Sequence, residues 1–411
     1  MNSEISLNTK AILLLTAPLL VGKNTPSSDL LTQTEYNKLA VHLLKLKRQP
    51  SDLISQAADD VIQNCQSVID ANRLRRLLDR GFLLSMALEH WQARSIWVIS
   101  RADKNYPRRL KTLLRENAPA LLYGCGDANL LEIGGLAVVG SRKVDTQLLK
   151  YAADVGHLCA SVGQSLISGC AKGIDSAAML QALENQGKAI AVLANNLEQT
   201  TIKYRKHIWD GNLLLVSSFD PNMGFNVGLA MARNKLIYAL SDAALVVNAD
   251  LNKGGTWAGA VEQLDKFKFI PVYLRSTGKS SPALDALQKK GALPWTNPES
   301  VQEFQQIFNV KNTSAKQPSL FSSIKEESSA TETTLADDTK EIAAQNSPAE
   351  QLFDIVRQIM LELLKTPMKQ KEIAQALNIS PSQSKIWLQR LIEEGIVEKN
   401  KKSAYLLKGR I

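Results

Sequence analysis

Cysteine and histidine are scarce in this chain of 411 residues, with four of each. Cys65, Cys125, Cys159 and Cys170 are scattered, and no two form a CxxC pair. That spacing excludes the common zinc modules and points to a reduced, cytosolic compartment. A catalytic thiol with a His partner has no support in the pattern. Cys170 sits in a glycine-bearing turn and reads as either a packed small residue or a reactive thiol. Long apolar runs are also missing. Ala11 to Val21 is apolar but too short to span a bilayer and is broken by Pro18. It has no basic leader ahead of it, so it reads as a helix of a globular protein rather than a signal peptide, and no membrane partner is expected.

An apolar share of 45% is enough to build a sizeable core. The charge balance is mildly basic, 49 Lys and Arg against 40 Asp and Glu, which suits a polyanionic partner without requiring one. The length allows two to four domains.

Residues 1–94 carry leucine at helical spacing (Leu39, Leu43, Leu46; Leu74, Leu77, Leu78) and predict a helical N-terminal domain. Their basic clusters, Lys45-Lys47-Arg48 and Arg73-Arg75-Arg76, read as solvated helix faces more readily than as DNA contacts. Trp97-Val98-Ile99 and Pro119 to Tyr123 read as short strands. From there to about residue 300, short apolar runs alternate with helical segments. The predicted strands are 136–139, 165–168, 188–193, 213–217, 243–248 and 269–273. This alternation is the mark of an α/β, doubly wound parallel sheet. Residues 305–348 are rich in Ser, Thr, Ala, Glu and Lys and read as a disordered linker. Residues 349–411 read as a winged helix-turn-helix: helices at 351–365, 368–377 and 381–394, with Ser380 as a cap before Pro381, then a β-wing. Such a unit either reads duplex DNA, through Gln383, Lys385, Gln389 and Arg390, or docks protein.

The chemistry concentrates where strands end. Leu136-Ala137-Val138-Val139 breaks into Gly140-Ser141-Arg142. Ser165-Leu166-Ile167 breaks into Ser168-Gly169-Cys170-Ala171-Lys172-Gly173. Asn252-Lys253-Gly254-Gly255-Thr256 follows the run AALVVN. Glycine lets the backbone approach a ligand, and a following helix offers free N–H groups to an anion. Arg233-Asn234-Lys235 leads into another strand, with Arg233 and Lys235 expected at a helix start. Arg142, Lys172, Arg233, Lys235 and Lys253 would together line a phosphate-holding crevice at the carboxyl ends of the strands, as backbone tracking of a single strand requires. Phe225 or Trp257 could stack a base, although core packing suits Trp257 better. No metal, no cofactor and no catalytic residue is assigned. An enzyme acting on a small nucleotide is the competing reading. Its general base would be Glu262 or Asp175, although Asp175 also suits a helix N-terminus, where the dipole favours a carboxylate. A third reading is a DNA-binding regulator in defence against foreign DNA, with the core as a ligand sensor.

The order VVGSR, SGCAKGIDSAA, RNKLIYALSDAALVV, KGGTWAGA resembles the DprA (Smf) family of DNA-processing proteins. The segment ISRADKNYPRRL ahead of it does too. The likeness covers roughly residues 95–304 and fits the C-terminal winged helix. It implies an extended Rossmann-like core that binds single-stranded DNA, forms dimers and helps load the RecA recombinase during natural transformation. By position, Gly140, Ser141 and Arg142 match the family's phosphate-binding turn. Ser168, Gly169, Lys172, Gly173 and Asp175 match its second motif, Asn234 and Lys235 its Arg-Asn-Arg motif, and Gly254, Gly255 and Thr256 its last glycine turn. The chain departs from the pattern at Lys172 and Lys235, where the family has Arg. Met179 replaces a His, and Ala230-Met231-Ala232 replaces Phe-Pro-Arg. Lysine cannot make the bidentate phosphate fork of arginine.

Overall fold

The computed structural model describes residues 5–20, 29–279, 281–298, 300–308, 357–364, 366–377, 381–399 and 404–407. They fall into two compact units, divided between Pro318 and Ser319.

The larger unit is built on one sheet of nine strands. These are β1 Trp97–Ser100, β2 Leu121–Cys125, β3 Leu136–Gly140, β4 Leu166–Ser168, β5 Ala189–Leu193, β6 Leu213–Ser217, β7 Ala243–Asn248, β8 Val272–Leu274 and β9 Leu293–Pro294. Their order across the sheet is β1-β2-β6-β5-β4-β3-β7-β8-β9. From β6 to β9 every neighbouring pair is parallel, while β1 and β2 add an antiparallel margin. The chain winds outward from β3 through β4, β5 and β6, then returns to the other side of β3 for β7, β8 and β9. The reversal between β3 and β7 is the topological switch point, where doubly wound sheets open a crevice beyond the strand ends.

Continuous apolar strands are what a sheet covered on both faces requires, and alternate residues serve opposite layers. Leu136, Val138, Leu166, Leu213 and Leu245 join one buried cluster, under the helices Thr146–Ser161 and Ile174–Glu184. Ala137, Val139, Ile167, Leu214 and Val246 join the other, under Arg108–Leu114, Val227–Leu240 and Pro282–Lys289. The N-terminal helices (Leu7–Thr16, Gln33–Lys45, Ala58–Asn64, Ala71–Leu78 and Gly81–Gln92) pack apolar residues such as Leu13, Leu39, Ile62, Leu74 and Leu84 into the first cluster, where Trp91 meets the Tyr123 ring edge-on at 5.2 Å. The apolar segment from Ala11 to Leu15 is fully packed there. Among the described residues no helix is long and apolar enough to cross a membrane. Arg73, Arg75 and Arg76 pair with Glu35, Asp59 and Asp29, so this basic cluster is occupied within the fold.

The ISRADKNYPRRL segment also serves the fold. Tyr106 Oη donates to the Pro119 carbonyl at 2.8 Å, and Arg109 binds both Asp242 and the Ser241 carbonyl. Sequence patterning missed β9, whose two exposed residues end in proline and form no apolar run. The segment expected to begin the linker is partly helical, because Val301–Phe308 buries Phe304 and Ile307. The rest of the 305–348 linker lies outside the described residues.

In the smaller unit, residues 357–363 are helical and are followed by β10 Met368–Lys369 and the helices Gln370–Ala376 and Pro381–Glu393. The strands β11 Val397–Lys399 and β12 Ala404–Leu407 form an antiparallel sheet with β10 in the order β10-β12-β11. Met368 and Lys369, expected in a helix, instead close this sheet. Met360, Leu364, Ile373, Leu388, Leu391 and Val397 make its core. Ser380, expected as a cap, and the side chains of Gln383 and Lys385 lie outside the described residues. Arg390 pairs with Glu394 at 3.2 Å.

Asp220, just beyond β6, is buried and fastens the N-terminal layer to the sheet. Its Oδ2 accepts the Leu20 N–H at 3.1 Å, its Oδ1 accepts the Asn222 N–H at 3.1 Å, and Asn222 Nδ2 donates back to the Leu20 carbonyl at 2.9 Å. Burial pushes the Asp220 carboxyl up to about 6, against the pull of these N–H groups. A folded pKa above the unfolded one means the native state binds more protons, so this contribution to stability falls as pH rises from about 4 through 6. Comparing denaturation of the wild type and Asp220→Asn cancels the other groups. The comparison is expected to shift toward the variant by up to about 3 kcal/mol between pH 4 and 7. A difference that does not move with pH contradicts this assignment.

Candidate functional site

The turns that end β3 and β4 meet at one side chain. Asp175, in the first turn of Ile174–Glu184, is buried, and its two oxygens accept the Gly140 N–H at 3.3 Å and the Gly169 N–H at 3.1 Å. The geometry disfavours a side chain at three points, the first being Gly140, where a Cβ would fall 2.5 Å from Ile174 Cγ1. A Cβ at Gly169 would fall 1.7 Å from Arg233 Nη1. Gly173 has φ +89, and a Cβ there would lie 2.6 Å from the Ser141 carbonyl oxygen.

Arg233 is only 6% exposed. Its Nη1 donates to the Val192 carbonyl at 2.8 Å, while Nε has no partner. Burial lowers the Arg233 pKa, and the Asp175 charge works against that. Burial likewise raises the Asp175 pKa, opposed by Arg233 and the backbone N–H groups. Each group therefore supports the other's ionised form inside a desolvated pocket.

This places Arg233 differently from the sequence expectation. Arg233 and Lys235 lie in the middle of the helix Val227–Leu240 rather than at its start. Asn234 Nδ2 donates to the Gly255 carbonyl at 2.9 Å and so ties that helix to the next. Lys235 is half-buried and does not face the crevice. Burial lowers its pKa, and its charged neighbours are Glu262 and Lys266.

A cavity of about 400 Å³ opens at the switch point between β3 and β7. Gly140, Ser141, Arg142, Arg233, Asn234, Lys253, Gly254, Gly255 and Thr256 line it. Ser168, Gly169, Lys172, Gly173 and Lys235 do not. Ser168 is buried with its hydroxyl donating to the Val138 carbonyl at 2.8 Å, and Lys172 is exposed outside the cavity.

The anion donors are fewer than the glycine turns suggested. Gly140 and Gly169 spend their N–H groups on Asp175, and the Ser141 N–H donates to Asn248 O at 3.2 Å. The helix after the first turn begins only at Thr146 and is capped by Asp145. By contrast, Gly254–Glu262 starts without any side-chain cap, and its first residues line the cavity. Its orphan N–H groups make it the natural seat for a phosphate.

Arg142, Lys143 and Lys253 stand exposed around it, and among the described residues none pairs with a carboxylate. Phe225, 57% exposed, carries the Arg142 guanidinium 5.4 Å from its ring centre. Trp257 is half-buried against the core instead.

Sequence reasoning missed Lys143, the neighbour of Arg142, and Asp250. Asp250 lies 3.4 Å from Ser141 Oγ and brings a carboxylate to the cavity wall. Neither Glu262 nor Asp175 stands ready as a base. Glu262 reaches Lys266 at 3.5 Å, away from the cavity, and both Asp175 oxygens are engaged. Cys170 packs 3.9 Å from Tyr204 Oη, with burial pushing its thiol pKa up, the opposite of an activated nucleophile. No cluster of metal-ligating side chains occurs among the described residues.

Removing the Asp175 carboxylate leaves the Gly140 and Gly169 N–H groups without their acceptor and the buried Arg233 charge uncompensated. Asp175→Ala is expected to destabilise the fold by about 3–5 kcal/mol in chemical denaturation. Lys172→Ala, at an exposed position, is expected to stay within about 0.5 kcal/mol of wild type. Equal effects would contradict the placement of the two residues.

The family model for DNA recombination-mediator protein A matches residues 97–306, the stretch that carries the sheet and the cavity. Protein Smf of Escherichia coli (strain K12) is 33% identical over 209 residues, covering 48% of this chain and 54% of that protein. DNA processing protein DprA of Streptococcus pneumoniae is 35% identical over 157 residues, covering 37% of this chain and 54% of that protein. The chain thus spans about half the length of these curated relatives. The X-ray structure of DNA processing protein A from Streptococcus pneumoniae superposes with a TM-score of 0.56 at 22% identity, covering 74% of this chain and 98% of that one, a likeness of fold. With its sheet, its glycine turns and half its length matched, the chain belongs to the DNA recombination-mediator protein A family.

Proposed function

We propose that this protein binds single-stranded DNA, holding the sugar-phosphate backbone at the switch-point cavity. One observation carries the reading: exposed Arg142, Lys143 and Lys253 surround an uncapped helix start, with Phe225 at the same wall. Unpaired cations beside an exposed ring are what sequence-tolerant single-strand binding uses. The relatives' names, Smf and DNA processing protein DprA, agree with a role in DNA processing. We extend the proposal to a cytoplasmic homodimer that protects single strands and helps load the RecA recombinase. The competing reading of the core as an enzyme acting on a small nucleotide is weakened by the positions of Glu262 and Asp175, which leave its general base unassigned.

Anisotropy of labelled oligonucleotides across a salt series tests this. Wild type is expected to prefer single strands to duplex, with affinity falling steeply as salt rises. Arg142→Ala/Lys253→Ala is expected to flatten the log–log slope by roughly 0.7 per lost phosphate contact. Lys235→Ala, outside the cavity, is expected to match wild type. Absence of single-strand binding at low salt would sink the proposal.

A further inference from the structure

Lys172 leaves a question, because it lies beside the cavity and not in it. Its turn leads to a second cluster of cations. Ala171 lines the cavity, and Cys170 in the same turn packs 3.9 Å from Tyr204 Oη. Lys203 lies near enough to act on the Cys170 thiol and sits 4.8 Å from the Tyr204 ring centre. Beyond it, in the short helix Arg205–Trp209, the Arg205 guanidinium lies 4.4 Å from the Trp209 ring centre. Tyr204 and Ile208 are buried and anchor the segment, while Trp209 remains 71% exposed. Among the described residues Lys203, Arg205 and Lys206 pair with no carboxylate. Glu198 is already tied to His90 at 2.8 Å and to Arg94, which leaves exposed Asp210 as the segment's own counter-charge.

We propose that Lys203–Trp209 is a second contact for single-stranded DNA. A strand leaving the cavity crosses Lys172 and Lys203 and stacks a base on Trp209, while Arg205 and Lys206 neutralise its phosphates. Excess positive charge beside an exposed indole selects this occupant over an apolar protein surface, since base stacking on an aromatic ring needs no sequence-specific partner. The inference rests on the single-strand reading above and extends it beyond the cavity.

Oligothymidylates of about 4 and about 16 nucleotides, the range that single binding folds occupy, separate the two contacts. Trp209→Ala is expected to weaken the longer strand about tenfold and leave the shorter one unchanged, with Trp209→Phe retaining most of the affinity. Trp209 is exposed, so its loss should leave the unfolding midpoint in place. No change on the longer strand overturns this site and leaves the cavity standing. Equal weakening of both lengths also overturns it. Should Trp209→Ala weaken the longer strand while Arg142→Ala/Lys253→Ala does nothing, this site is supported and the cavity reading fails. If wild type binds neither length, both fail.

Discussion

The carboxylate of Asp175 is shared by the backbones that end β3 and β4, and the shape of the crevice depends on it. A buried carboxylate is tolerated only when its lone pairs and its charge are both answered. The Gly140 and Gly169 amides answer the first, and Arg233 answers the second. Glycine at 169 and 173 is the steric consequence, because the Arg233 guanidinium and the Ser141 carbonyl occupy the space a side chain would take. With two strand ends fixed, β7 can deliver Lys253 and the start of Gly254–Glu262 to the opposite wall.

The cations of the region therefore divide by burial. Arg233 is an interior group whose charge is spent on Asp175 and whose Nη1 is spent on Val192. Arg142, Lys143 and Lys253 are at the surface, where their charges meet solvent and can exchange counterions for phosphate. Lys235 belongs to neither group: it is half-buried, with Glu262 and Lys266 as its charged neighbours.

Much of the fold was legible because parallel strands buried on both faces leave continuous apolar runs, and Leu136–Gly140 through Ala243–Asn248 are such runs. The glycine turns were legible for the same reason: each follows a run. Their role was not, because a glycine required by a bulky neighbour reads like a glycine that admits a ligand. Gly169 belongs to the first kind, and only Arg233, far along the chain, reveals it. The two-residue β9 and the Met368–Lys369 strand carry too few residues for any period to register. The exposed Trp209 was silent in the sequence because its partner, Arg205, sits one helical turn away in a segment without a recognisable motif.

Photo-crosslinking of a single-stranded oligonucleotide to the full chain, with the attached peptides mapped by mass spectrometry, tests the central claim most directly. The account predicts adducts on the peptides holding Phe225 and the Arg142 turn, suppressed by excess unlabelled single strand. Adducts confined to residues 357–407, with none on the walls of the switch-point cavity, would contradict it.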